Sequence, residues 1–201
     1  MAPMNRALPL HVRPLLLALV LPLVAVLAGC GLNGTNDGGY ITGDGRVISY
    51  AADDRGAPVK LAGDLLDGTA FDPSSVDGKV TVVNVWGAWC GACLSEAAFI
   101  QEAHEKLGDD VAFLGIDVRD PSAQTAQAFE REHGITYPSI FSTDGAALLG
   151  FPRGKVPGST PSTLVLDTQG RVAAVIRGEV PSTLTLTETV QCVQDPSGQG
   201  C

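Results

Sequence analysis

The sequence is short of positive charge and of residues that hold metals. Thirteen Lys and Arg stand against 22 Asp and Glu in 201 residues. The absence of a basic patch excludes nucleic acid as a partner and electrostatic docking on anionic lipid. Histidine occurs three times and methionine twice. Both methionines, Met1 and Met4, lie at the start, and His104 and His133 stand singly without ligand spacing. A structural zinc site takes four ligands, usually two cysteine pairs or a pair plus spaced histidines; among the five cysteines only Cys90 and Cys93 are close. Long apolar runs are missing too. The longest stretch, residues 14–28, is shorter than the ~20 residues a membrane helix needs. No internal repeat is present.

What the chain does have is Trp86-Gly87-Ala88-Trp89-Cys90-Gly91-Ala92-Cys93. Two thiols three positions apart can close a small disulfide and open it again. The pair follows an apolar run, Val80-Thr81-Val82-Val83-Asn84-Val85-Trp86, that reads as a buried strand. A helix is predicted over residues 91–107. The first sulfur therefore falls at a helix N-terminus, where unpaired N–H groups and the positive end of the dipole favour thiolate over thiol. This context points to thiol–disulfide chemistry, which needs no cofactor.

The N-terminus carries Arg6 and Arg13 ahead of the 15-residue apolar stretch, and Leu27-Ala28-Gly29-Cys30 follows at once. This is the layout of a signal peptide, residues 1–29. Small residues before the cysteine resemble the lipobox of bacterial lipoproteins, in which the cysteine sulfur receives diacylglycerol. Lipid on Cys30 would anchor the mature protein on the extracytoplasmic face of the cell membrane. Residues 30–45, rich in Gly with Asn, Asp and Thr, read as the lipidated cysteine and a flexible tether. Loss of the leader leaves 11 basic against 22 acidic residues, a net charge of −11. One domain with a sizeable core is expected over residues 46–193, followed by a tail over 194–201. Cys192 and Cys201 can close a structural disulfide around the turn-forming Asp195-Pro196-Ser197-Gly198.

Strand and helix alternate through this domain. A first strand is expected at 46–51, a hairpin at 59–71 turning at Asp67-Gly68, and a second turn at Asp77-Gly78. Beyond the central strand and the first helix come a buried strand at 111–117 and a helix at 122–133 that Gly134 stops. Residues 162–167 and 171–177 read as an antiparallel pair around Thr168-Gln169-Gly170, and 181–193 as a final helix. The pattern predicts an α/β domain with parallel strands in its sheet.

These elements, taken in order, resemble the thioredoxin fold and, within it, the TlpA/ResA-like family of exported thiol–disulfide oxidoreductases. The likeness runs from about residue 57 to 190. It rests on the strand–Trp–Cys–x–x–Cys–helix core, the inserted strand–helix unit at 111–133, Tyr137-Pro138, and Ser159-Thr160-Pro161-Ser162-Thr163 leading into a strand. The resemblance implies a central mixed sheet flanked by helices, with an N-terminal hairpin. It implies that Cys90 is the exposed nucleophile and Cys93 the buried resolving thiol, with Trp89, Gly91 and Ala92 framing them. Pro161 after Thr160 becomes the cis-proline facing the pair. Glu96, one helical turn after Cys93, becomes a carboxylate able to exchange a proton near its sulfur. Three departures stand out. Ala92 replaces the proline frequent before the second cysteine, Ala98 a helix-kinking proline. Asn84 stands where cytoplasmic thioredoxins bury an aspartate, so that proton acceptor is absent.

The implied partners are thiols or disulfides of exported proteins, apocytochrome c awaiting haem among them, and a membrane thiol–disulfide electron donor. The neutral Gly91-Ala92 dipeptide lacks the charge that strong oxidants of this fold use to stabilise thiolate, which favours a reductase. An oxidase using the same residues in reverse is the alternative. A copper(I) chaperone with Cys90 and Cys93 as soft ligands lacks the additional histidine or methionine such modules carry.

Overall fold

The computed structural model describes residues 46–195 and the backbone of Gly39–Ile41. Seven strands form one sheet: β1 (Gly39–Ile41), β2 (Val47–Tyr50), β3 (Val80–Trp86), β4 (Val111–Val118), β5 (Ser139–Ser142), β6 (Ser162–Leu166) and β7 (Val172–Arg177). Their order is β1-β2-β7-β6-β3-β4-β5. β3 runs parallel to β4 and β4 parallel to β5, while β6 is antiparallel to both β3 and β7. All seven residues of β3 are buried, because both faces of the sheet are covered and no solvent side exists to be polar.

Helices α1 (Gly91–Leu107), α2 (Ala123–His133) and α3 (Thr183–Gln194) cover one face. There Ile100 and Ala103 of α1 and Leu186 and Val190 of α3 pack on Val80, Val82, Phe113 and Val165. The opposite face is covered without a helix of full length. Leu61, Phe71 and Phe151 close over Val83, Val85, Leu114 and Ile116. The helix starts follow their sequence signals: Ser122 Oγ accepts from Thr125 N–H (3.3 Å) and Ser182 Oγ from Thr185 N–H (3.1 Å). Gly134 adopts φ 67° and ends α2 in a left-handed cap.

Two expectations need correction. The hairpin expected at 59–71 is present but shorter: Asp64 bridges Ala70, Leu65 N–H donates to the Thr69 carbonyl (2.7 Å) and Phe71 N–H to the Gly63 carbonyl (2.9 Å). Its turn is placed as expected, with Asp67 Oδ1 accepting from Thr69 N–H (2.9 Å). The segment also pairs with the sheet edge, Leu65 bridging Ile140 of β5 while Leu66 N–H donates to the Ser139 carbonyl (3.0 Å) and Phe141 N–H to the Asp64 carbonyl (2.8 Å). Leu61 and Phe71 pack onto the sheet face. Second, the stretch read as a tether up to residue 45 includes β1, which pairs antiparallel with β2. Backbone pairing to an open sheet edge needs no apolar periodicity, so three residues of Gly39–Ile41 carry no legible signal. The arrangement is the thioredoxin-like fold, a mixed sheet with flanking helices.

Candidate active site

β3 ends at Trp86 and α1 begins at Gly91, so residues 87–90 make the turn between them. Gly87 is required by crowding: a Cβ there would collide with the Trp89 indole and the Val118 carbonyl. Cys90 is the N-cap of α1, extended at φ −95° and ψ 108°, and its Sγ accepts from Cys93 N–H at 3.1 Å. Cys90 and Cys93 are joined in a disulfide, with Cα atoms 5.2 Å apart. An N–H group and the end of the helix dipole thus face the sulfur that carries charge once the bond opens. The expected exposure of Cys90 is not seen in this bonded state. It is 6 % exposed against 2 % for Cys93, and the neighbouring Trp89 and Leu94 are the open surface.

The peptide bond between Thr160 and Pro161 is cis, as the resemblance implied. Register places Ser162 of β6 against Val85 of β3. The cis bond therefore lies at the end of β3 from which the redox turn departs. Next to it an open cavity of about 330 Å³ is lined by Tyr50, Lys155, Val156, Ser159, Ser162 and Arg177. Pro161 is buried and Thr160 half-buried.

Glu96 is buried at 1 % exposure and not on the solvent face of its helix. Asn84 Nδ2 donates to its Oε1 (2.9 Å) and Val180 N–H to its Oε2 (2.7 Å). The same Asn84 amide donates to Thr163 Oγ1 (3.1 Å). Burial pushes the Glu96 carboxyl up to about 7, and the two donors hold it from rising further. The sequence treated Asn84 and Glu96 separately and read Asn84 as the loss of an acid. The structure joins them: the strand supplies the amide and the helix supplies the acid.

A third group was missed. Three successive residues after Asp117 grip the turn ahead of Cys90. Val118 O accepts from Trp89 Nε1 (2.9 Å), the Arg119 guanidinium lies 4.7 Å from the Trp89 ring centroid, and Asp120 Oδ2 accepts from Ala88 N–H (2.8 Å). Arg119 reaches this position through a left-handed backbone, φ 66°, which a residue with a Cβ adopts at a cost of order 1 kcal/mol. Asp117 itself is fully buried, and neither carboxyl oxygen has a hydrogen-bond partner among the described residues. Burial and the neighbouring Asp120 and Glu130 push it up to about 8. The available signal was an acidic residue closing an apolar strand, with a second acid three positions on.

Cys192, on α3, is disulfide-bonded. Cys201, its expected partner, and Cys30 lie outside the described residues.

The chain matches the Redoxin family over residues 51–191. A DsbF homologue from Corynebacterium diphtheriae is 36 % identical, with 76 % of this chain and 96 % of that one covered and a TM-score of 0.64. A secreted thiol-disulfide isomerase from Corynebacterium glutamicum is 38 % identical, covering 79 % and 100 %, with a TM-score of 0.63. The thiol-disulfide oxidoreductase ResA of Geobacillus thermodenitrificans is 28 % identical over 116 residues, 56 % of this chain and 63 % of that protein. The chain thus spans somewhat less than two thirds of the curated relatives' length. With its cis-proline and its Cys90–Cys93 disulfide at a helix start, the chain belongs to the Redoxin family, among the TlpA/ResA-like thiol–disulfide oxidoreductases.

Proposed function

We propose that this protein is a lipid-anchored extracytoplasmic disulfide reductase acting on exported proteins. One observation carries the exchange chemistry: Cys90 Sγ caps α1, receives Cys93 N–H, and is bonded to Cys93 across two residues. In the reduced protein the Cys90 thiolate attacks one sulfur of a partner disulfide. A mixed disulfide forms and the partner's other sulfur leaves as thiolate. Cys93 then gives up its proton and attacks Cys90 Sγ. That step releases the partner's second sulfur and leaves Cys90–Cys93 oxidised, two electrons having passed to the partner. Glu96, one turn beyond Cys93 and poised near neutrality, is the group suited to take the Cys93 proton. The cavity flanking Thr160–Pro161 offers an extended partner segment a place beside the cis-proline.

The reducing direction is supported by the uncharged Gly91-Ala92 dipeptide. Location outside the cytoplasm is supported by residues 1–29, by the lipobox ending at Cys30, and by similarity to a secreted isomerase. No helix among the described residues is long and apolar enough to cross a membrane; the attachment proposed is acyl chains on Cys30, from Leu27-Ala28-Gly29-Cys30. A membrane thiol–disulfide donor returns the electrons.

A specific observation favours the reverse direction as a second reading. The Arg119 guanidinium sits over Trp89, the residue before Cys90. Positive charge there stabilises the reduced form, which makes an oxidant. Equilibration with glutathione separates the two, with a Cys192→Ser, Cys201→Ser variant alongside to remove the second disulfide. A potential below about −220 mV supports the reductase; one above about −150 mV overturns it in favour of the oxidase.

A further inference from the structure

We propose that Asp117 and Asp120 form a carboxyl pair sharing one proton, and that this pair positions the turn that presents Cys90. It rests on thiol–disulfide exchange at Cys90 and is independent of the direction of electron flow.

The geometry is one of unequal partners. Asp120 Oδ2 is committed to Ala88 N–H, two residues before Cys90, and the Asp120 carbonyl accepts from Thr143 Oγ1 (2.7 Å). Asp120 is therefore fixed at both ends and is 1 % exposed. Asp117, three residues earlier and fully buried, has no donor directed at either oxygen among the described residues. A buried carboxylate without donors is untenable, and a second one beside it compounds the penalty. A protonated Asp117 removes both difficulties, because its O–H can donate to the free oxygen of Asp120. Asp120 Oδ2 meanwhile stays committed to Ala88 N–H. The raised affinity of Asp117 for its proton fits this assignment.

The groups around Asp117 leave no other source of compensation. Register sets Trp86 of β3 and Phe141 of β5 beside it, neither of them charged. From α2 comes Glu130, a further acid, itself pushed up by burial. From α1 come Cys90 and Cys93, which do not titrate while bonded. The one cation of the segment, Arg119, is turned outward over Trp89. Ionisation of Asp117 therefore sets two or three carboxylates against one another under the turn. The grip on Ala88 and Trp89 loosens, and presentation of Cys90 degrades at alkaline pH.

The test uses the full chain, solubilised in mild detergent and fully oxidised so that the redox cysteines are silent. With two tryptophans in the chain, ¹⁵N-tryptophan labelling yields two indole resonances, of which that of Trp89 reports the grip. It is expected to shift with a midpoint near pH 8 in the wild type. Asp117→Asn should abolish the shift, since an amide donates to Asp120 without titrating. Asp120→Asn should move the midpoint acidward, because the like charge is gone. The rate of reduction by dithiothreitol, normalised for each protein to its value at pH 6, gives the functional readout. The ratio of Asp117→Asn to wild type should rise to about tenfold one pH unit above the midpoint. A Trp89 shift that survives Asp117→Asn, or a midpoint unmoved by Asp120→Asn, overturns the pair. A flat rate ratio with the shifts present overturns its role in presenting Cys90, and leaves exchange by Cys90 and Cys93 intact.

Discussion

Asn84 Nδ2 lies 2.9 Å from Glu96 Oε1, so a strand amide and a helix acid complete each other under the redox helix. This pair makes stability depend on pH. An unfolded glutamate titrates near 4.5, whereas burial raises folded Glu96 to about 7. Between these values the folded state binds more protons than the unfolded one. Its contribution is fully present below 4.5 and is lost as pH rises through 7, by about 3 kcal/mol at most. Urea unfolding of the oxidised protein at several pH values is expected to show this fall. Glu96→Gln should make the slope between 4.5 and 7 shallower by one proton and leave the part due to Asp117, which runs from its ordinary value of 3.8 up to about 8. Equal slopes for the two proteins would remove Glu96 from the role.

Gly115 tests how closely β4 and β5 approach under α2. A Cβ there would collide with Ser139 Oγ and with the Trp86 indole nitrogen, both on buried side chains. Trp86 is held by stacking on Phe129, 4.9 Å between centroids, and cannot swing away freely. Gly115→Ala is expected to destabilise by about 1–3 kcal/mol through overpacking. The same change at Gly91, which meets no atom within 4 Å, should leave the urea midpoint within about 0.5 kcal/mol of wild type. Equal effects at the two glycines would show the approach at Gly115 to be loose.

Much of this architecture was legible in the sequence, and the physical reason is consistent. β3, β4 and the helix caps at Ser122 and Gly134 carry local signals, an apolar run or a capping side chain, that need no tertiary context. Cys90, Cys93 and Pro161 were legible through their motifs. The Asn84–Glu96 pair was not, because hydrogen bonding across a 12-residue separation depends on how α1 lies over β3. The grip of Val118, Arg119 and Asp120 on Ala88 and Trp89 escaped for the same reason, being set by the parallel register of β3 and β4. The hairpin turn at Asp67-Gly68 was legible, whereas the bridge from Leu65 to Ile140 was not, because it joins segments far apart in the chain.

Asp167 is the hub at the other end of the sheet. Arg55 Nη1 (3.2 Å) and Arg171 Nε (2.8 Å) both donate to its Oδ2, and Arg55 Nε donates to the carbonyl of Tyr50 (3.1 Å). Burial alone would raise the Asp167 carboxyl. The backbone and side chain of Arg171, with Arg55, outweigh it and hold the group below its ordinary value. This contribution is present at neutral pH and is lost as pH falls through the lowered value. Asp167→Ala leaves Arg55, 8 % exposed, with a buried unpaired charge, and is expected to destabilise by about 3–5 kcal/mol. Arg171→Ala, on a side chain 28 % exposed, should lose far less. A reversed ranking in urea unfolding would mean that Arg171 and not Arg55 is the buried partner that matters.

The roles proposed for the two sulfurs and for lipid on Cys30 are expected to separate in vivo. Exchange through a mixed disulfide requires that the sulfur capping α1 attack first and that the deeper sulfur resolve. Cys93→Ser should therefore accumulate disulfide-linked complexes with exported proteins, visible on non-reducing gels and absent after reduction. Cys90→Ser should accumulate none, since Cys93 at 2 % exposure cannot be reached by a partner. Adding Cys30→Ser to Cys93→Ser should release the protein from the membrane fraction and leave it able to form such complexes. Complexes formed by Cys90→Ser would reverse the assignment of the sulfurs, and membrane retention without Cys30 would transfer the anchor to residues 1–29 acting as an uncleaved segment. The double variant matters because a protein freed from the membrane yet still trapping partners shows that attachment sets where exchange occurs, whereas Cys90 sets whether it occurs.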